Sequence, residues 1–189
     1  LDCAMEKILS AAPNARVQFV IFPEPPAWFM ENHNAEMPRY HIQWSSASEL
    51  RMFYTGPMAS SVWRTSCNNL LKNMIEYMER QPYADHIYDY KLFMSGGGEW
   101  HWPACFDGGI GGYSQATEKD FRDFLKKRYG SDATLQKAWG RQYLTLATAK
   151  VPTPEERSTS ERGFFRDPIQ GRSSMDFRLY MGDTILDCV

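Results

Sequence analysis

Apolar positions along the chain follow two different periods. Residues 17–22 are a nearly continuous apolar run and residues 87–94 are a second strand-like segment, which predicts two strands buried on both faces. Elsewhere apolar residues recur at helical spacing, and this predicts helices at residues 2–12, 59–80, 117–130, 135–140 and from 173 onward. Buried strands that alternate with helices indicate a parallel α/β sheet.

Capping residues and glycines mark the predicted helix ends. Thr117 is the predicted cap of one helix, Gly130 and Gly140 are predicted stops, and Ser173 opens the last helix. Residues 151–171 are rich in Pro, Ser and Arg, which predicts a polar loop. The inward face of the helix at 59–80 is predicted to carry Trp63, Cys67, Leu70, Met74 and Met78.

Composition and charge argue against a nucleic-acid or membrane partner. Of the 189 residues, 43% are hydrophobic and 23% are charged, which is typical of a packed globular protein and not of a disordered one. The formal net charge is −2 and no basic block occurs, so no nucleic-acid partner is predicted. Because no apolar run reaches the ~20 residues that a membrane span needs, no membrane partner is predicted either.

Two features indicate an internal piece of a longer protein. The chain begins with Leu1, and the apolar pattern at residues 185–189 stops inside a predicted helix. Two parallel strands alone would also make an unstable sheet. A missing N-terminus leaves the compartment open, since cytoplasmic and exported proteins both fit.

A carboxylate follows each predicted strand. Glu24 lies in a Pro-rich turn after the first strand, and Glu99 follows the second strand after three consecutive glycines. In parallel α/β folds, functional groups gather beyond these strand ends. Trp100 and Trp102 flank the Glu99 segment, so we expect their indole rings to desolvate the Glu99 carboxyl and raise its pKa. A raised pKa suits a general acid at neutral pH, whereas the alternative interpretation is a solvated loop residue.

The tryptophans near the strand ends favour a carbohydrate ligand. Trp28, Trp44, Trp100 and Trp102 all occupy predicted loops. An indole ring stacks on the apolar C–H face of a sugar, while carboxylates accept hydrogen bonds from its hydroxyls. Core packing is the alternative interpretation for each tryptophan taken singly.

Cofactor chemistry finds little support in the sequence. The glycines at residues 96–98 and 108–112 match neither a dinucleotide loop nor a P-loop. Glu99 and His101 have no third metal ligand at useful spacing, and the four cysteines form no C-x-x-C pair. A G-x-S-x-G elbow is also missing. We therefore predict no cofactor and no metal.

Longer motifs resemble one enzyme family. The chain carries G-Y-S at residues 112–114, then a Phe-containing helix that ends in R-Y-G at 128–130, and A-W-G at 138–140. V-P at 151–152, P-E-E-R at 154–157 and F-R-D-P at 165–168 follow. This succession resembles the catalytic barrel of glycoside hydrolase family 42, the β-galactosidase-like enzymes. Residues 17–28 resemble the third barrel strand and its loop.

The resemblance implies a fold and a reaction. Residues 1–189 would be a fragment of one TIM-barrel catalytic domain, a partial (β/α)8 barrel with about strands three and four. The implied activity is retaining hydrolysis of β-galactosides or related β-glycosides in an oligo- or polysaccharide substrate. Glu99 would be the general acid/base, and the nucleophile Glu would lie outside this fragment, which should be inactive alone. Sugar contacts are expected from Glu24, Trp28, Trp100, His101 and Trp102.

The chain departs from the family pattern at two points. Gly98 stands where the family usually has an Asn that holds the sugar 2-hydroxyl, and the family's zinc-binding cysteine cluster has no counterpart. A non-catalytic carbohydrate-binding relative is therefore an alternative. A third hypothesis is an inverting or amylase-like barrel. The oligomeric state of the full-length protein stays open.

Overall fold

The computed structural model describes residues 1–42, 50–52, 55–93, 102, 109–158 and 166–188. Seven α-helices occur in these ranges: α1 (Asp2–Ala11), α2 (Ala27–Asn32), α3 (Ser61–Met78), α4 (Gln115–Tyr129), α5 (Asp132–Trp139), α6 (Pro154–Ser158) and α7 (Arg172–Leu186). Five strands occur in them: β1 (Val17–Ile21), β2 (Arg39–Ile42), β3 (Leu50–Met52), β4 (Ile87–Leu92) and β5 (Gly109–Gly111). A short 3-10 helix at Ala84–His86 precedes β4.

Two small sheets organise the chain. Strands β1 and β4 pair in parallel, with Phe19 opposite Tyr90 and Ile21 opposite Leu92, which confirms the two predicted strands. A second, antiparallel sheet has the order β3-β2-β5 and was not predicted. Its strands are three or four residues long, too short for an alternating pattern to be read from the sequence.

The β1–β4 pair is open on one face, contrary to the prediction that both faces are buried. Phe19 stacks on Tyr90, whose hydroxyl donates to Glu79 just beyond α3. On the opposite face, Val20 is 47% exposed, and the Gln18 side-chain amide donates a hydrogen bond to the Asp89 carboxylate. The described residues place no element over that face, so its apolar side chains stay accessible.

Helix α3 begins and ends inside the segment predicted to be helical, residues 59–80. The Ser60 hydroxyl accepts a hydrogen bond from the Trp63 amide at 3.1 Å and caps the helix. Trp63, Cys67 and Met78 are buried, as predicted. Leu70 is 58% exposed, so its assignment to the inward face was wrong: no described element packs over that part of the helix.

The start of α4 differs from the prediction. Ser114, not Thr117, accepts the capping hydrogen bond, because Ser114 has extended backbone angles while Thr117 already lies in the first turn. The predicted ends of α4 and α5 are confirmed: Gly130 and Gly140 adopt left-handed angles, with φ of 70° and 63°. The predicted loop at residues 151–171 contains the short helix α6.

The larger core joins α4, α5 and α7. Its buried residues include Phe121, Leu135, Phe177 and Tyr180. A smaller cluster of Phe29, Met37, Trp63 and Cys67 joins α2 to α3. No helix in the described ranges is long and apolar enough to cross a membrane.

Candidate functional site

The segment after β1 places an acidic side chain in solvent. Pro23 and Pro25 are buried, while Glu24 between them is exposed. Proline fixes φ near −65°, so the two anchored prolines restrict the backbone on both sides of Glu24. The Glu24 amide also donates to the Phe22 carbonyl oxygen at 2.9 Å. Glu24 therefore projects from a constrained turn at the carboxyl end of a parallel strand.

Trp28 lies four residues later, on α2, and offers a large aromatic surface. It is 57% exposed, whereas its neighbour Phe29 is 1% exposed. The Phe29 ring meets Trp28 edge to face at 5.9 Å and Trp63 at 5.0 Å, measured between ring centroids. Trp28 thus stands on a buried aromatic support, and its exposed area suits stacking on a sugar ring.

Two further aromatic side chains at the strand ends were missed in the sequence. Phe22 follows β1 and Phe93 follows β4, and their rings stack with centroids 5.2 Å apart. The Lys91 ammonium lies 4.9 Å from the Phe93 centroid. The equivalent positions of Phe22 and Phe93, one residue past each strand, were the signal that could have identified them. We call Phe22, Glu24, Trp28, Lys91 and Phe93 the strand-end group.

Trp102 is placed differently from the prediction. It is 8% exposed, and its ring packs against Phe177 and Tyr180 with centroid distances of 6.2 and 5.8 Å. Trp102 therefore belongs to the core beside α7, which leaves little of its ring for stacking on a ligand.

Three of the predicted site residues lie outside the described residues. They are Glu99, Trp100 and His101. Trp44 also lies outside the described residues. The predicted rise in the Glu99 pKa and its role as an acid therefore stay predictions. Among the described residues, no group of three or more His, Cys, Asp or Glu side chains could hold a metal ion.

A separate groove of about 510 Å³ lies between the first turns of α3 and α4. Acidic and basic side chains line it together, among them Glu36, Lys119 and Asp123. None of the strand-end group lines it. The groove therefore has no part in the candidate site.

Comparison with known proteins shows which solved structures share the fold of this chain. No family model matches the sequence, and a search of curated proteins finds no match. Among solved structures, the β-galactosidase of the psychrophilic Marinomonas ef1 superposes with a TM-score of 0.67 and 20% identity. That match covers 99% of this chain and 26% of the enzyme. The chain folds like part of a β-galactosidase.

Two further structures agree with this fold. Gan42B, a GH42 β-galactosidase, gives a TM-score of 0.60 at 17% identity, over 99% of this chain and 24% of its own. The catalytic domain of the Paenibacillus polymyxa β-amylase gives 0.60 at 14% identity, over 97% of this chain and 47% of that domain. The predicted resemblance to the β-galactosidase-like enzymes is thereby confirmed in fold. The chain spans about a quarter of the β-galactosidases, as a partial barrel would.

Proposed function

We propose that this chain is part of the catalytic barrel of a retaining glycoside hydrolase that acts on β-galactosides or related β-glycosides. The observation that supports this most strongly is the β-galactosidase-like fold over 99% of the chain. The strand-end group supports it independently, because an exposed carboxylate and an exposed indole follow β1, where parallel α/β folds collect functional groups.

In this proposal Glu99 is the general acid/base. Its protonated carboxyl donates a proton to the leaving-group oxygen while a second Glu, outside residues 1–189, attacks the anomeric carbon. The Glu99 carboxylate then removes a proton from the water that releases the sugar. Retention requires the two carboxyl groups to be about 5–5.5 Å apart, so the chain alone is expected to be inactive.

The described residues would bind the sugar. Trp28 would stack on the apolar face of a sugar ring, and the Glu24 carboxylate would accept hydrogen bonds from its hydroxyls. Trp100 and His101 would complete the contacts from the segment beside Glu99. Trp102, buried against Phe177, would take no part in the stacking.

Glu99→Gln in the full-length protein tests the assignment. Alkyl galactosides have poor leaving groups and need acid assistance, whereas dinitrophenyl galactoside hardly needs it. We therefore expect kcat/KM for the alkyl substrate to fall by roughly 10²–10⁴-fold and glycosylation by the activated substrate to be retained. Glu6→Gln, at an exposed position on α1, is the matched control and should leave both values unchanged. An equal, mild loss for both substrates would contradict the role of Glu99.

An amylase-like glycosidase is the second candidate, and the fold likeness to the Paenibacillus polymyxa β-amylase favours it. Analysis of the anomer first released from a β-galactoside and from a starch oligosaccharide distinguishes the two. Release of β-galactose supports the retaining β-galactosidase. Turnover of starch alone, or an inverted product, supports the second candidate, for which a carboxylate separation of about 6.5–9.5 Å is expected. Sugar binding without any turnover would indicate a non-catalytic relative.

A further inference from the structure

Trp63 lies behind the segment that carries Glu24 and Trp28. It is 3% exposed and sits in the first turn of α3, where the Ser60 hydroxyl accepts a hydrogen bond from its backbone amide. Its ring meets Phe29 edge to face at 5.0 Å, and Phe29 in turn meets Trp28. Trp63 therefore supports α2 through Phe29, the neighbour of Trp28.

The same indole ring also lies close to the other end of the segment. A Cβ atom added at Gly56 would come within 2.6 Å of Trp63 Nε1 and 3.4 Å of the Pro23 carbonyl oxygen. The space that a side chain at position 56 would fill is thus bordered by the ring and by the backbone that precedes Glu24. The lack of a side chain at Gly56 is what allows these three groups to approach so closely.

Packing alone fixes the orientation of this ring. Trp63 Nε1 is buried and has no hydrogen-bond partner among the described residues. A buried donor without a partner costs free energy, so it adds nothing that would hold the ring in place. The ring position therefore depends on packing, against Gly56 and within the smaller cluster that contains Phe29.

We propose that Trp63 is a positioning residue for the sugar site, which sets the placement of Trp28 through Phe29. This inference rests on the proposed function, since it assumes that Trp28 binds the sugar. Trp63 itself touches no ligand, because its ring is enclosed.

A double-mutant cycle on the full-length protein tests it. The probe is isopropyl β-D-thiogalactoside, measured as a competitive inhibitor of p-nitrophenyl β-galactoside hydrolysis. Trp28→Ala removes the stacking surface and should raise the inhibition constant roughly tenfold. Gly56→Ala pushes the Trp63 ring and should raise it by a similar factor. If Trp63 acts through Trp28, the double variant should be no weaker than Trp28→Ala alone.

Gly182→Ala is the matched control, because nothing lies within 4 Å of a Cβ added there. It should leave the inhibition constant unchanged. Should Gly56→Ala fail to fold, Trp63→Phe replaces it in the cycle, since it keeps an aromatic ring in the core. Additive losses, or no loss from Gly56→Ala or from its substitute Trp63→Phe, would overturn the positioning role and leave the Glu99 assignment standing. No effect of Trp28→Ala, or no binding of the probe, would overturn the inference together with the sugar-binding part of the proposed function.

Discussion

At the scale of single residues, the Asp176 carboxylate binds four polar side chains in and around the larger core. It is 0% exposed and accepts hydrogen bonds from the Trp139 indole at 2.9 Å and from the Tyr129 hydroxyl. The Arg128 and Arg172 guanidinium groups lie 3.2 and 3.1 Å away. A buried charge with four partners is stable only while each partner is present. Asp176 thus joins α4, α5 and α7 by charge as well as by packing.

Asp176→Asn should lower the free energy of unfolding by about 3 kcal/mol, because it leaves two guanidinium groups without their counter-charge. Urea denaturation followed by tryptophan fluorescence measures this. Burial, and then the hydrogen bond to Asp176, raise the pKa of Tyr129, so that pKa should fall towards its usual value in the variant. Asp183→Asn, at an exposed position on the same helix, is the control and should cost little. Equal losses in the two variants would contradict the role of Asp176.

Trp28 and Trp102 show why single site residues were only partly predictable. Both follow predicted strands, and the sequence gives both the same interpretation as sugar-stacking rings. The structure exposes Trp28 and buries Trp102 against Phe177, 75 positions further along the chain. A local pattern cannot reveal a partner so distant in sequence, so the accessible ring was identified only from the fold. Trp63 was predicted as an inward residue of its helix, but its contact with Gly56 required the structure.

At the scale of elements, the helices followed from the sequence more fully than the strands. Helix α5 ends where Gly140 predicts, since a left-handed stop is encoded locally. The antiparallel sheet β3-β2-β5 joins segments about 70 residues apart, as the pairing of Tyr40 with Gly111 shows. No local period encodes such a pairing. The cap of α4 was misplaced by three residues because Ser114 and Thr117 are both good capping residues, and only backbone angles distinguish them.

Arg157 links α6 to β5, and its replacement tests how much this link contributes to stability. Its guanidinium donates to the Gly111 carbonyl oxygen at 2.5 Å and lies 4.6 Å from the Phe177 ring centroid, and burial lowers its pKa. Arg157→Lys keeps the charge but loses the contact of the guanidinium group with the Phe177 ring, so it should cost about 1–2 kcal/mol of unfolding free energy. Arg178→Lys, exposed on α7, should cost less than about 0.5 kcal/mol. Thermal and urea denaturation measure both, and indistinguishable variants would show that the Phe177 contact contributes nothing.

At the scale of the whole molecule, the open face of the β1–β4 pair fits a partial barrel. Val20 is 47% and Phe22 48% exposed, although both belong to an apolar run that predicted a strand buried on both faces. The chain matches about a quarter of each β-galactosidase in fold. The prediction of two-sided burial therefore fits the proposed complete barrel better than it fits residues 1–189 alone.

This leads to a prediction for the full-length protein. If further strands complete the barrel, Val20→Cys should react with maleimide at least about tenfold more slowly than Tyr143→Cys, because labelling then requires an opening that costs about 1.4 kcal/mol or more. Tyr143 is 94% exposed and is the reference for free access. Peptide mass mapping separates the new thiols from the four native cysteines. Equal labelling rates would mean that the face stays open in the full-length protein, and the partial-barrel proposal would then fail independently of any assay of activity.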